Sequence, residues 1–315
     1  MLVYSTLESL PDPAPPVAAA FGNFDGVHLG HRELLATVVA AARTCGGPAA
    51  VVTFDPHPLA VLRPDRAPAA LDGVAQRLVL LADCGIDWTL VLPFDAALAA
   101  RSPQWFVRQL LCGRLGVRAV VAGPGVRFGH GGAGDLRLLQ EELHRVHGLV
   151  HPCAGVEVGG VAVSSTRIRE AVAAGDVASA TLLLGRPFAL RGRVVEGDRR
   201  GRTLGFPTAN LDVTRQVIPA HGVYAGWFES GGVRHAAVAN VGVRPTFGAS
   251  ERRIEAHVLD FAGDLYGASV ALHFVDRLRG ELRFDGIDAL RGQIARDTAA
   301  ARAVLGSIER KRAAS

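Results

Sequence analysis

The sequence predicts an α/β domain on a parallel sheet with helices on both faces, followed by an antiparallel β-barrel or sandwich and one terminal helix. Two patterns carry that expectation. Up to about residue 185, short runs that are apolar throughout alternate with longer runs of helical period. Strands apolar on both sides belong in a sheet covered on both faces. Beyond that point, segments alternate apolar and polar residues between glycine-rich or polar turns, as strands with one buried face do. With 315 residues, 49% of them hydrophobic, the chain is long enough for two domains, each burying its own core.

Taken in order, "PVAAAFG" reads as a strand and "GHRELLATVVAAARTC" as a helix with an apolar face at 34, 35, 38, 39 and 42. "AAVVTF" is the next strand, and "DGVAQRLVLLADCG" a helix expected to open at Asp72 and stop at Gly85. "WTLVLPF" is a strand. In "SPQWFVRQLLCGRLG", Ser102 is the expected N-cap and Pro103 takes the first helical position, where its missing N–H costs nothing. "RAVVAG" and "DLRLLQEELHRVHG" add a further strand and helix. In "GDVASATLLLGRPF" a helix closes at Gly185 and Pro187 blocks its continuation, which sets the expected domains at 1–184 and 185–315. "LRGRVVEG", "GVYAGWFE", "RHAAVANVGV", "RIEAHVLDF" and "SVALHFVDRLR" are the expected strands of the second domain, and "GIDALRGQIARDTAAARAVLG" its terminal helix.

Composition removes several function classes. The formal charge is +4, and Lys311 is the only lysine. A G-x-x-x-x-G-K-[ST] phosphate loop is therefore impossible. No arginine-rich tract with interleaved aromatics points to nucleic acid, and no apolar run has the length of a membrane span. The cysteines at 45, 84, 112 and 153 form no CxxC or zinc spacing, as expected of thiols in a reducing, cytoplasmic compartment. Nothing in the sequence indicates an oligomeric state.

Two regions carry chemistry. In "GNFDGVHLGH", residues 22–31, a strand ends, glycines at 22, 26 and 30 permit close backbone approach, and a helix begins. The helix N-terminus makes an anion site, and His28 and His31 add imidazole donors that can stabilise charge on a phosphorus under attack. A capping or surface role for such a histidine is the alternative. In "VSSTRIREAV", residues 163–172, Ser165 and Thr166 sit at a helix start. Arg167 and Arg169 oppose the helix dipole there unless an anion is bound. Farther on, "GDRRGRTLGFPTANL" (197–211) is either a solvated basic loop or a phosphate loop. Thr208 and Asn210 share one face of an extended backbone, with oxygens suited to a magnesium–phosphate complex. In "RRIEAHVLDF" (252–261), Ile254, Ala256 and Val258 take one face, Glu255 and His257 the other.

"GNFDGVHLGH" with "SSTRIRE" resembles the signature of the nucleotidyltransferase superfamily, and "TFDPHP" narrows the resemblance to the prokaryotic bifunctional riboflavin kinase/FMN adenylyltransferase family. "GFPTAN", "GVYAGW", "ANVGVRPTFG", "EAHVLDF" and "DLYG" follow in the order of its kinase half. The resemblance implies a Rossmann-like nucleotidyltransferase domain and a riboflavin kinase barrel. It implies ATP and Mg2+ as co-substrate and cofactor, riboflavin, FMN and FAD as substrates or products, and small molecules rather than nucleic acid or membrane as partners. By position it assigns ATP to Asn23, Ser165 and Thr166, a catalytic role on the ATP phosphates to His28, His31 and Arg169, and the flavin side to Phe54, Pro56, Pro58 and Phe128. It assigns phosphates and metal to Thr208 and Asn210 beside Gly201, and the general base to Glu255. Arg244, Pro245 and Thr246 match the family as well, which implies a structural or loop-shaping role for them. One departure stands out: "GPGVRFG" (123–129) has Gly125 where the family carries an acidic or amide side chain. It motivates an alternative in which only the kinase is fully active. A non-catalytic flavin- or RNA-binding regulator is the third reading.

Overall fold

The computed structural model describes residues 1–12, 16–197, 206–246 and 249–313. It divides into two compact units, Met1–Ser165 and Thr166–Ser315.

The first unit is built on six strands: β1 (Leu2–Tyr4), β2 (Val17–Phe21), β3 (Ala49–Asp55), β4 (Trp88–Pro93), β5 (Val117–Ala122) and β6 (Leu149–Pro152). Their order is β1-β4-β3-β2-β5-β6, with every pairing parallel. The connections carry α1 (Leu29–Cys45), α2 (Pro58–Leu62), α3 (Val74–Asp83), α4 (Ala96–Ala99), α5 (Pro103–Trp105, continuing through Phe106–Arg114) and α6 (Leu136–His144). Successive residues of β2 enter opposite cores. Ala18 and Ala20 pack with Leu35 and Val38 of α1 and Leu80 and Leu81 of α3. Ala19 packs with Phe106 and Leu110 of α5 and Leu139 and Leu143 of α6. That double burial is why the strand reads as apolar at every position. A two-stranded ribbon, β7 (Glu157–Val158) and β8 (Val161–Ala162), completes the unit.

Several details differ from the sequence expectation. Helix α3 starts at Val74 with Gly73 as N-cap, not at Asp72. The backbone N–H groups of Leu71 and Asp72 are taken instead by the buried Asp25 carboxylate, at 3.0 and 3.1 Å. Ser102 caps α5 through the Trp105 N–H at 3.1 Å, as expected. From Phe106, however, the helix winds wide, and the Leu115 N–H reaches Leu110 O, five residues back. The edge strands β1 and β6 were not expected, because LVY and LVHP are only three and four residues long. The four cysteines are free and half-buried.

Helix α7 (Ser165–Ala174) crosses the division between the units. It is followed by α8 (Val177–Leu184), capped by Asp176 and ended by Gly185 at φ 72°. The barrel strands are β9 (Phe188–Val195), β10 (Ala209–Asp212), β11 (Gly222–Ser230), β12 (Val233–Thr246), β13 (Ala249–Val258) and β14 (Ser269–Arg279). Strand β9 pairs with both β10 and β14, which closes the sheet into a barrel and excludes a sandwich. Phe188, Tyr224, Phe228 and Phe274 are fully buried. Tyr224 and Phe274 meet edge to face at 5.2 Å. Helix α9 (Ile287–Ala313) covers one side through Ala301 and Leu305, which pack on Val223, Ala225 and Val238.

Candidate active sites

In the first unit the chain steps outward from β2 to β3 and β4, then returns to the other side of β2 as β5. The loops after β2 and β5 therefore part and leave a crevice at the carboxyl ends of the strands. A cavity of about 1140 Å3 lies there. Asn23, His28, His31, Phe54, Pro58, Phe128 and Ser165 all line it. Pro56 is exposed and lies outside the lining. Thr166 is exposed and Arg169 half-buried on the first turns of α7, in the second compact unit.

His28 is the N-cap of α1, and its Nδ1 accepts the His31 N–H at 3.2 Å. A neutral ring with Nδ1 accepting carries its proton on Nε2. The rings of His28 and His31 stack with centroids 3.6 Å apart. Gly30 makes that possible: a Cβ there would press on His28 Nδ1 at 3.3 Å. Nδ1 of His31 is buried without a hydrogen-bond partner. Burial, then the charges of His28 and Arg77, hold the His31 pKa well below the ordinary imidazole range. His31 is therefore neutral at pH 7, and a phosphate in the crevice would favour its protonation. The turn itself is strained, with Phe24 at φ 48° and Val27 at φ 33°.

Three anchors hold this turn. Ser165 Oγ donates to the Asp25 carbonyl at 2.8 Å. The Asp25 carboxylate grips Leu71 and Asp72. Thr53 Oγ1 donates to the Asn23 carbonyl at 3.3 Å and itself receives Arg77 Nη1 at 3.2 Å. Arg77 is buried, and the same Nη1 reaches the Phe54 carbonyl at 3.2 Å. His57 caps α2 by accepting the Leu59 N–H at Nδ1, 3.1 Å away, and its Nε2 lies 3.0 Å from the Asn23 amide. Since Nδ1 accepts, Nε2 carries the proton, and the hydrogen-bond network sets the amide with its oxygen toward the ring. Arg77 has no sequence signal of its own and reads as a helix-surface arginine, whereas His57 lies inside "TFDPHP" without standing out there as a site residue.

The lining is also aromatic. Phe128 meets Phe21 edge to face at 5.5 Å and lies tilted against Phe106 at 5.7 Å. Phe54 meets Phe94 at 5.6 Å. Gly129, at φ 72°, lies against Pro103, whose backbone N would be 2.5 Å from a Cβ. Gly125, at φ 69°, faces open space.

In the barrel, Asn210 of β10 and Glu255 of β13 are register partners. Asn240 of β12 stands on the other side of Glu255. Alternation buries Ile254, Ala256 and Val258, as expected, and leaves Glu255 on the outer face. Arg253 joins the two groups: its Nη2 is 2.8 Å from Glu255 Oε1, and its Nε donates to Asn210 Oδ1 at 2.9 Å. Gly197 packs directly on the Asn210 amide, where a Cβ would lie 2.2 Å from Nδ2. Half-buried Thr208 precedes β10 by one residue. His257 Nδ1 lies 2.8 Å from the Pro207 carbonyl, so this nitrogen donates, and the ring packs edge-on to Phe206 at 5.5 Å. His257 thus anchors the backbone that presents Thr208. Gly201 lies outside the described residues.

Comparison with known proteins gives consistent matches. The family models described as "FAD synthetase" and "Riboflavin kinase" match residues 11–167 and 184–305. The chain is 43% identical over 286 residues to the "Bifunctional riboflavin kinase/FMN adenylyltransferase" of Escherichia coli K12, covering 90% of this chain and 91% of that protein. It is 37% identical over 288 residues to the protein of the same name from Bacillus subtilis 168, covering 88% and 89%. A crystal structure from Streptococcus pneumoniae described as a macrolide-efflux protein aligns with a TM-score of 0.85 at 33% identity, covering 96% and 98% of the two chains. Among the described residues of this chain, no helix is long and apolar enough to cross a membrane. On the two family matches and these identities, the chain belongs to the bifunctional riboflavin kinase/FMN adenylyltransferase family.

Proposed function

We propose that the two reactions of this bifunctional riboflavin kinase and FMN adenylyltransferase run at the two places just described. FMN adenylylation is assigned to residues 1–184, in the crevice beside β2. Riboflavin phosphorylation is assigned to residues 185–315, on the β10–β13 face of the barrel.

In adenylylation, a phosphate oxygen of FMN attacks the α-phosphorus of ATP and pyrophosphate leaves. His28, with its Nε2 proton, and His31, which lines the same crevice, are assigned to the phosphate charge by their motif. Asn23 and Ser165 line the same crevice, and Thr166 and Arg169 are assigned to ATP by their motif. Phe54, Pro58 and Phe128 supply the apolar wall for the flavin ring, with Pro56 in the same turn.

In phosphorylation, the terminal hydroxyl of riboflavin attacks the γ-phosphorus of ATP and ADP leaves. Glu255 accepts the hydroxyl proton, a contribution typically worth about 10²–10⁴ in rate. Thr208 and Asn210 hold the phosphates with Gly201. Their neutral oxygens fit Mg2+, which prefers oxygen ligands and, when bound, neutralises charge on the phosphates. Among the described residues no cluster of three or more His, Cys, Asp or Glu could hold a metal; the oxygens of Thr208 and Asn210 would hold it together with the nucleotide. Free, half-buried thiols accord with a cytoplasmic enzyme acting on small molecules.

The observation that carries the assignment is the direct opposition of Asn210 and Glu255 across β10 and β13. The test is to incubate the protein with riboflavin, ATP and Mg2+ and resolve the flavins by chromatography. FMN appears first and FAD accumulates from it; FMN supplied at the start yields FAD and pyrophosphate. FMN without FAD would restrict the chain to the kinase, and no product at all would leave only a flavin binder.

A further inference from the structure

We propose that Arg253 is a resident cation of the kinase centre, clamping Asn210 to Glu255 and releasing Asn210 when the metal–nucleotide complex binds. The inference rests on the reading of Asn210 as a metal and phosphate ligand. Residues 253 and 255 are two apart on β13 and share a face. Asn210 is the register partner of Glu255. One guanidinium therefore spans both, with Nε on the amide oxygen at 2.9 Å and Nη2 on the carboxylate at 2.8 Å. Its register partner on β12 is Gly242, where the position of a Cβ is 2.7 Å from Glu281 Oε1, so a second carboxylate borders the same face.

The amide oxygen is the atom that a divalent cation would use, and Arg253 already donates to it. A guanidinium and a divalent ion on the same oxygen repel each other, with little screening over such a distance. Metal binding must therefore displace the Nε contact. The Nη2 contact to Glu255 remains and keeps the carboxylate oriented beside the incoming hydroxyl. In the absence of metal the clamp holds the proposed base and the proposed ligand in register and compensates the carboxylate charge. Arg253 is thus a positioning residue that sets the metal requirement of the reaction.

The test compares Arg253→Gln, which removes the charge, with Arg253→Lys, which keeps it, in the full chain. Mn2+ is titrated by electron paramagnetic resonance in the presence of ADP, with Asn210→Ala defining the barrel's contribution. The Mg2+ concentration for half-maximal FMN formation is measured in parallel. Arg253→Gln is expected to lower both by about threefold to tenfold, while Arg253→Lys stays near the parent protein. In the parent, the side-chain Nε–H resonance of Arg253, identified by its loss in Arg253→Gln, should shift when Mg2+ and ADP are added together. An unchanged or higher metal requirement in Arg253→Gln, or an unmoved resonance, would overturn the clamp. If Asn210→Ala leaves Mn2+ binding intact, the reading of Asn210 fails instead, and the clamp falls with it.

Discussion

His28 and His31 stack face to face, with ring centroids 3.6 Å apart and planes 14° apart. Two imidazoles so close cannot both carry charge in an empty crevice. His31 bears the larger consequence, since burial is the first cause of its lowered pKa and the charges of His28 and Arg77 follow. In histidine-labelled protein, the His31 ring should show no titration step near pH 6.5, only one well below it. Adding ATP should move that step upward. A step at the ordinary value in the empty protein would contradict the geometry.

His57 ties Asn23 to the turn after β3, with Nε2 and the amide 3.0 Å apart. His57→Asn retains a capping side chain for α2 but withdraws that contact. A hydrogen bond of about 1 kcal/mol corresponds to about fivefold, so kcat/KM for FAD formation from FMN should fall by roughly that factor or more. FMN formation from riboflavin should be unaffected, and an equal loss in both reactions would point to general damage.

His273 is buried beside Glu229, with Nε2 3.2 Å from the carboxylate. Burial, first, and the Arg234 charge lower its pKa to about 4, against the opposing pull of Glu229. The unfolded chain takes up this proton near pH 6.5, the folded barrel only near 4. Stability from this group is full above pH 6.5 and is lost as the pH falls through that window, by on the order of 3 kcal/mol at most. Amide-exchange protection of β11 and β14, measured between pH 7 and 4, should decline accordingly. In His273→Asn the decline should be shallower.

Gly125 and Gly129 both have positive φ, yet their surroundings differ. A side chain at Gly125 meets nothing within 4 Å, whereas one at Gly129 would strike the Pro103 backbone. Gly125→Asn should change unfolding stability by less than about 1 kcal/mol, since Asn tolerates the left-handed region. Gly129→Ala should cost more than about 2 kcal/mol. Thermal and urea unfolding would separate the two. The open space also means that an amide can be restored at position 125 to ask how it affects FMN binding.

The sequence shows most of the fold because its patterns are local. Apolar runs such as "AAVVTF" mark strands buried on both faces, and the alternation of Ile254, Ala256 and Val258 marks one buried face. What it hides is non-local. Whether the second sheet closes depends on β9 pairing with both β10 and β14, which no local pattern encodes. Asp72 reads as the start of α3, but the helix begins at Val74, and the Asp72 N–H is held by Asp25, far away in sequence. At the sites, glycine and histidine spacing pointed to His28 and His31; alternation gave Glu255 only its face, and the family resemblance gave it a role. Arg77 and Arg253 were invisible as site residues, because tertiary burial gives the first its role and the β10–β13 register the second.

The claim that two separate centres share this chain is tested most directly by one paired assay. Glu255→Gln and His28→Ala are each given riboflavin or FMN, with ATP and Mg2+, and the flavin products are quantified. Glu255→Gln should form almost no FMN from riboflavin yet convert supplied FMN to FAD at the parent rate. His28→Ala should accumulate FMN from riboflavin and fail to make FAD from either flavin. Loss of both reactions in either folded variant would contradict the two-centre account.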